Sequence, residues 1–306
     1  MKRFYIVVLL FMLPIFVFMG GAEYAVRQIP NEYKYKNDWM DQHAEEVETL
    51  ILGNSHTQVG LNPALMGNNV FNLSIAGQDY LYSHFLFFKW VNRLNKLKIV
   101  ILPISYFSFY EDIQGDNSKI MQELGYRIYM DCPYRKYDIA YNFESLYFKP
   151  LLSKFEKYYN GEIINWDSCG WVPWLKVNKS PVWNANHVNK ALARLYLSHS
   201  FENVLENYGL VENIACYCNR HDIKFVLVST PQTKEYNSCL SKEQVEETRN
   251  LIKKLQRHYN VKYYDFREDC RYKDDDFFDQ SHLSEIGAEK FTNSLVAILL
   301  REVFPN

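Results

Sequence analysis

The chain lacks an excess of charge of either sign: 34 basic residues stand against 36 acidic ones, for a formal net charge of −2. That balance excludes the electrostatic footprint of a nucleic-acid binder. Internal repeats and low-complexity tracts are also missing. The 306 residues therefore read as one large domain or a domain carrying a sizeable insertion. No cysteine follows the apolar run at the N-terminus, which removes the case for a lipoprotein anchor. Six cysteines occur later; Cys216 and Cys218 share a predicted helix but point to different sides, so they do not share a metal. No metal site and no cofactor is expected. Disulfides are permitted in an exported chain, with Cys239 and Cys270 as the pair in suitable loops and free or buried thiols as the alternative.

The N-terminus begins Lys2-Arg3, followed by an apolar run from Phe4 to Met19 that contains Pro14, and then Gly20-Gly21-Ala22. Basic residues ahead of such a run are read by the export machinery, which leaves the rest of the chain outside the cytoplasm. The run is slightly shorter than the roughly 20 residues that span a bilayer comfortably. A membrane anchor is the favoured reading of residues 1–22, and a signal peptide cleaved beside Gly20 and Ala22 is the other. Residues 23–45 are polar and tyrosine-rich and read as a stalk, leaving 46–306 as the domain.

Within that domain, apolar runs of strand length recur at Val47 to Leu52, Val70 to Ile75, Ile99 to Ile104, Phe225 to Ser229 and Val261 to Phe266. Helical spacing of apolar residues appears over Tyr80 to Leu97, Phe201 to Cys218, Lys242 to Tyr259 and Ser284 to Val303. Strands alternating with helices predict an α/β fold with a parallel sheet covered on both faces. Ligands of such sheets bind beyond the carboxyl ends of the strands. About 120 residues separate the third and fourth strands, far more than one crossover needs. We read an inserted cap there, at about 106–200. It holds Trp166, Trp171, Trp174 and Trp183, and Tyr106, Phe107, Phe109 and Tyr110 open it. These aromatics either form a small core of their own or line a platform for sugar rings or an acyl chain.

Two strings carry the chemistry. Gly53-Asn54-Ser55-His56-Thr57 follows the first strand, and Asp279-Gln280-Ser281-His282 follows the fifth. A serine hydroxyl needs a positioned imidazole to take its proton, and that imidazole needs a carboxylate to fix its tautomer. Ser55, His282 and Asp279 suit those three roles. Ser55 would open a helix whose free N–H groups can meet a developing oxyanion. Ordinary readings also exist: a strand-to-helix turn for Ser55, and a helix-capping pair for Asp279 and His282.

With these strings in place, the chain resembles the SGNH, or GDSL-like, hydrolase superfamily over about 47–105 and 200–303. That resemblance implies a flavodoxin-like three-layer α/β/α domain with Ser55, Asp279 and His282 as its catalytic residues. It also implies an oxyanion hole built from the backbone N–H groups of Ser55 and Gly77, the glycine of Asn72-Leu73-Ser74-Ile75-Ala76-Gly77. The family's third motif, Gly-x-Asn-Asp, has no counterpart after the third strand, where Pro103-Ile104-Ser105-Tyr106-Phe107-Ser108 stands instead. Ser105, Ser108 or the later Asn117 are the candidates to replace its asparagine. Losing one such donor typically costs about 100- to 1,000-fold in rate, which favours a specialised transferase or a slow enzyme. His56, Asn54, Tyr106 and Ser108 are the expected substrate contacts.

The layout is similar to membrane-anchored SGNH proteins that acylate bacterial cell-surface polymers, often beside a multi-pass membrane acyltransferase. It implies transfer of an acyl group, acetyl first, through a Ser55 ester to a glycan hydroxyl. A glycan esterase with the same triad, and a catalytically silent glycan-binding or scaffold protein, are the alternatives. The expected partners are therefore a glycan or acyl-ester substrate, the membrane, and a multi-pass acyltransferase.

Overall fold

A computed structural model of the chain describes residues 1–112, 114, 119–133, 139–162, 166–173 and 201–303. Two compact units are present: residues 1–37 with 116–164, and residues 38–115 with 165–306.

In the smaller unit, α1 (Lys2–Gln28) is long and apolar enough to cross a membrane, and none of its most apolar stretch is buried. A second helix, α2 (Glu32–His43), crosses the boundary at residue 37. The region read as a stalk is thus largely helical. The reason is local: Lys36 is fully buried and paired with Glu32 at 2.6 Å. In the larger unit, Met40 is buried and the Trp39 ring stacks on Phe71 with centroids 3.8 Å apart.

The larger unit is built on five parallel strands: β1 (Thr49–Ile51), β2 (Val70–Asn72), β3 (Ile99–Pro103), β4 (Lys224–Ser229) and β5 (Val261–Asp265). Their order is β2-β1-β3-β4-β5, the flavodoxin-like order. Leu50 lies opposite Phe71 on one side and Val100 on the other. Both faces of the central strands are buried: Leu50, Ile51, Val100, Ile101, Val226 and Leu227 are all fully covered. That two-sided burial is why these strands read as unbroken apolar runs rather than alternating ones.

The remaining helices are α3 (Ser55–Gly60), α4 (Tyr80–Trp90), α5 (Ile120–Met130), α6 (Phe148–Tyr159), α7 (Phe201–Arg220), α8 (Lys234–Ser238), α9 (Lys242–His258) and α10 (Glu285–Val303). Phe291, Leu295 and Leu299 of α10 pack with Ile51, Ile101 and Val228 from the sheet. Elsewhere α4 packs on α7, α7 on β4, and α9 on β5. Helices α5 and α6 belong to the smaller unit.

The segment expected as one cap over 106–200 is divided between the units. Residues up to 115 and from 165 belong to the larger unit, and 116–164 to the smaller. Trp174, Trp183 and Asn117 lie outside the described residues. All six cysteines are free thiols, so the Cys239–Cys270 pair expected from loop placement is not formed.

Candidate active site

The turn after β1 brings Ser55 to the head of a helix. Leu52 N–H still bonds the Ile101 carbonyl at 2.9 Å, and then Gly53 reverses the chain at φ +114°. Asn54 is the N-cap of α3, its side-chain carbonyl accepting the His56 N–H at 3.1 Å. Thr57 Oγ1 bonds the Leu52 carbonyl at 3.0 Å and Ser74 Oγ at 2.9 Å. Buried Asn72 donates to the carbonyls of Thr57 and Leu61 at 2.9 and 3.1 Å. Capping and cross-links of this kind hold a six-residue helix that could not persist alone.

Ser55 Oγ lies 2.8 Å from His282 Nε2, and His282 Nδ1 lies 2.8 and 3.0 Å from the two Asp279 oxygens. A carboxylate only accepts, so Nδ1 carries the proton and Nε2 faces the serine as an acceptor. The loop orients this pair through its backbone: the N–H groups of Ser281 and His282 both donate to Asp279 Oδ1 at 2.8 Å. From the N-cap of α8, Thr233 donates its N–H and its hydroxyl to the Gln280 carbonyl, each at 3.1 Å. Ser284 then caps α10, its hydroxyl accepting the Gly287 N–H at 3.3 Å.

Burial acts to raise the Asp279 carboxyl, but hydrogen bonding and charge from His282, with the two backbone N–H groups, hold it at about 2. Its ordinary value is 3.8. The folded chain therefore favours the carboxylate, and the stability this provides is complete above pH 3.8 and lost as pH falls towards about 2. In urea unfolding of the parent against Asp279→Asn, the stability gap is expected to stay constant above about pH 5. It should narrow through the window between those two values; a gap unchanged down to pH 2 would contradict this account.

Backbone groups surround the other side of the serine turn, where the oxyanion hole was expected. Ile75 N–H bonds the Gly53 carbonyl at 3.0 Å, tying the segment after β2 to the serine turn. Residues 75–78 then form a turn closed by Gln78 N–H to the Ile75 carbonyl at 2.9 Å, with Gly77 third at φ +73°. A positive φ at that place favours glycine. Neither the Ser55 nor the Gly77 N–H has a hydrogen bond among the described residues.

The other expected contacts have different surroundings. Asn54 is buried and engaged in its cap. Tyr106 is fully buried against Phe107 and Tyr236. Ser108 is buried and its hydroxyl accepts the Ser105 N–H at 3.1 Å. Ser105 Oγ meets His56 Nδ1 at 2.9 Å, and the His56 ring stands edge-to-face with His282, centroids 5.1 Å apart. Burial, reinforced by the neighbouring His282, pushes His56 down to about 3. His56 is therefore a neutral neighbour of His282 at working pH. The segment after β3 thus reaches the serine turn through this Ser105–His56 pair.

Two of the cap tryptophans named from the sequence, Trp166 and Trp171, stand beside α3, a placement the sequence did not disclose. Trp171 Nε1 donates to the Val59 carbonyl at 2.9 Å, and Trp166 and Phe278 pack on Val59 and Val172. Val59 is one turn along α3 from Ser55, and Phe278 precedes Asp279. Behind the Asp279–His282 loop, a cavity of about 580 Å³ is lined by Gln232, Thr233, Asp269, Tyr272 and Phe277 among others. Neither Ser55 nor His282 lines it.

No family model and no curated protein matches the chain. Among solved structures it is similar to a candidate platelet activating factor from Streptococcus pneumonia, at 12% identity and a TM-score of 0.41, over 95% of this chain and 98% of that one. It is also similar to a candidate acylhydrolase from Bacteroides fragilis, at 11% identity and a TM-score of 0.40, over 86% and 96% of the two chains. A GDSL-like lipase from Bacteroides thetaiotaomicron matches at 11% identity and a TM-score of 0.40, over 90% and 100%. The parallel sheet, its strand order and the bonded Ser55–His282–Asp279 row stand independently of these likenesses.

Proposed function

We propose that this protein is an SGNH-type acyl-ester enzyme working outside the cytoplasm, held at the membrane by α1. The observation that carries the reading is the continuous row from Ser55 Oγ through His282 to Asp279. His282 Nε2 takes the Ser55 proton as the hydroxyl attacks an ester carbonyl. The tetrahedral oxyanion meets the N–H groups of Ser55 and Gly77, which have no competing protein acceptor among the described residues. His282 returns the proton to the departing alcohol, leaving the acyl group on Ser55. An acceptor hydroxyl then attacks this ester while His282 again takes the proton; the acyl–Ser55 bond breaks as His282 returns that proton to Ser55 Oγ, and Asp279 stabilises the imidazolium formed at each step.

The acceptor we propose is a hydroxyl of a cell-surface glycan, with an acetyl group delivered by a multi-pass membrane acyltransferase. The Trp166 wall beside α3 supports a sugar-binding edge, since aromatic faces suit the apolar faces of sugar rings and exclude water. With water as acceptor, the same residues make the protein an esterase.

The test is fluorophosphonate labelling of the full chain in detergent, alongside Ser55→Ala and His282→Ala. Labelling of the parent and of neither variant is the expected result; undiminished labelling of Ser55→Ala would overturn the assignment. Turnover of an activated acetyl ester with and without added oligosaccharide then separates transfer from hydrolysis. Acetylated sugar is the product expected of a transferase, and acetate alone that of an esterase.

A further inference from the structure

The smaller unit turns apolar side chains outward around one end of α1. The apolar residues of this helix from Phe4 to Met19 are exposed, and its buried positions begin at Glu23 and Val26. From Lys2 to Ala22 the helix rises about 30 Å, at ~1.5 Å per residue, which matches the hydrocarbon thickness of a bilayer. A helix crossing the membrane over this stretch has Glu23 and Arg27 at the polar boundary.

Those two residues fix the level of the segment that follows α5. Arg27 and Glu23 form an ion pair at 2.6 Å. Glu23 accepts the Ser145 N–H at 2.9 Å, and Arg27 donates to the Asn142 carbonyl at 2.7 Å. Residues 144–146 and α6 also pack directly on α1.

Along this segment of the smaller unit, six apolar or tyrosyl side chains stand out of the protein, Tyr158 among them. Ile139, Phe143 and Leu146 are exposed on the two short turns before α6, with Ile139 65% exposed. On α6, Leu152 and Tyr159 lie seven residues apart and so share a face; Tyr159 is 92% exposed. Lys149 and Lys157 are exposed on the same helix. Apolar and tyrosyl side chains mixed with lysines are the composition that settles at the boundary of acyl chains and headgroups.

We propose that residues 139–159 form a collar lying in the interfacial zone of the bilayer that α1 crosses. Ile139, Phe143, Leu146, Leu152 and Tyr159 enter the outer acyl region, and Lys149 and Lys157 meet anionic headgroups. The collar rests on the reading of α1 as a retained anchor, and it does not depend on the chemistry of Ser55.

The photoreactive residue p-benzoylphenylalanine, introduced singly into the full chain in bacterial membranes, tests both. Leu152 and Tyr159 are the collar positions, Phe11 is the reference within α1, and Ile286 is an exposed apolar position of the larger unit. After irradiation, mass spectrometry is expected to find phospholipid adducts at Phe11, Leu152 and Tyr159 and none at Ile286. An adduct at Phe11 with none at the two collar positions overturns the collar and leaves the anchor. A protein-sized cross-link at Leu152 or Tyr159, or equal lipid labelling at Ile286, also overturns it. No adduct at Phe11 removes the anchor and the collar together.

Discussion

Replacing His282 with alanine is expected to lower kcat/KM for an activated acetyl ester by about 10⁴- to 10⁶-fold while the chain stays folded. The His282 ring is partly exposed, and its bonds run to Ser55, Ser281 and Asp279. Its removal therefore costs chemistry more than packing. Asp279→Asn should cost about 10⁴-fold, because an amide at that place favours the wrong imidazole tautomer. Asparagine can still accept the N–H groups of Ser281 and His282, so the loop itself should survive. Because the three groups act as a unit, the double variant should be no worse than His282→Ala alone. Steady-state kinetics of the three variants decide the matter. A His282→Ala protein within tenfold of the parent would mean that the row of hydrogen bonds is not used.

The second large effect is structural. Gly53→Ala is expected to destabilise the larger unit by about 2–6 kcal/mol, the sum of left-handed backbone strain and overpacking. A Cβ at this position would stand 2.2 Å from both Cγ and Cδ of Pro103. That contact cannot be relieved by a rotamer change, since the proline ring is closed and its residue is hydrogen-bonded in β3. Gly67 offers the comparison: its φ is +115°, yet nothing lies within 4 Å of the added carbon. Gly67→Ala should therefore carry only the backbone part, about 1–3 kcal/mol. Urea unfolding of the two variants separates strain from collision, and equal losses would refute the role of Pro103. Since the Gly53 carbonyl also holds Ile75, Gly53→Ala should disturb the Gly77 turn as well.

The five strands were legible because burial on both faces leaves an uninterrupted apolar run whatever the register. The Ser55, Asp279 and His282 grouping was legible for a related reason. In a parallel sheet the ends of the strands share one edge, so chemistry-bearing residues that follow β1 and β5 can meet there. What the residues did not disclose was direction. Asn54, Tyr106 and Ser108 are near the right edge, but the cap and the aromatic cluster turn their side chains into the protein. The Ser105–His56 bond joins positions 49 residues apart and has no periodic signal. Helix α2 was hidden by its polarity, since its hold comes from Met40, Trp39 and a buried lysine rather than an apolar stripe. The partition of 116–164 away from its flanks rests on contacts with the N-terminal helix that local sequence does not encode.

Ser55 and the nitrogen that would activate it are 227 positions apart in the chain. The helix that follows His282 also supports the serine turn from below: Thr292 Oγ1 accepts the Asn62 N–H at 3.0 Å, and Phe291 and Leu295 fill the space under Ile51. During synthesis Ser55 is thus made early and His282 late. A nascent chain, or one threaded unfolded across a membrane, carries a serine no more reactive than any other. On the proposed function, reactivity waits until the residues that follow β5 have emerged and docked. On the function proposed above, the compartment in which this chain is made is thereby spared that chemistry.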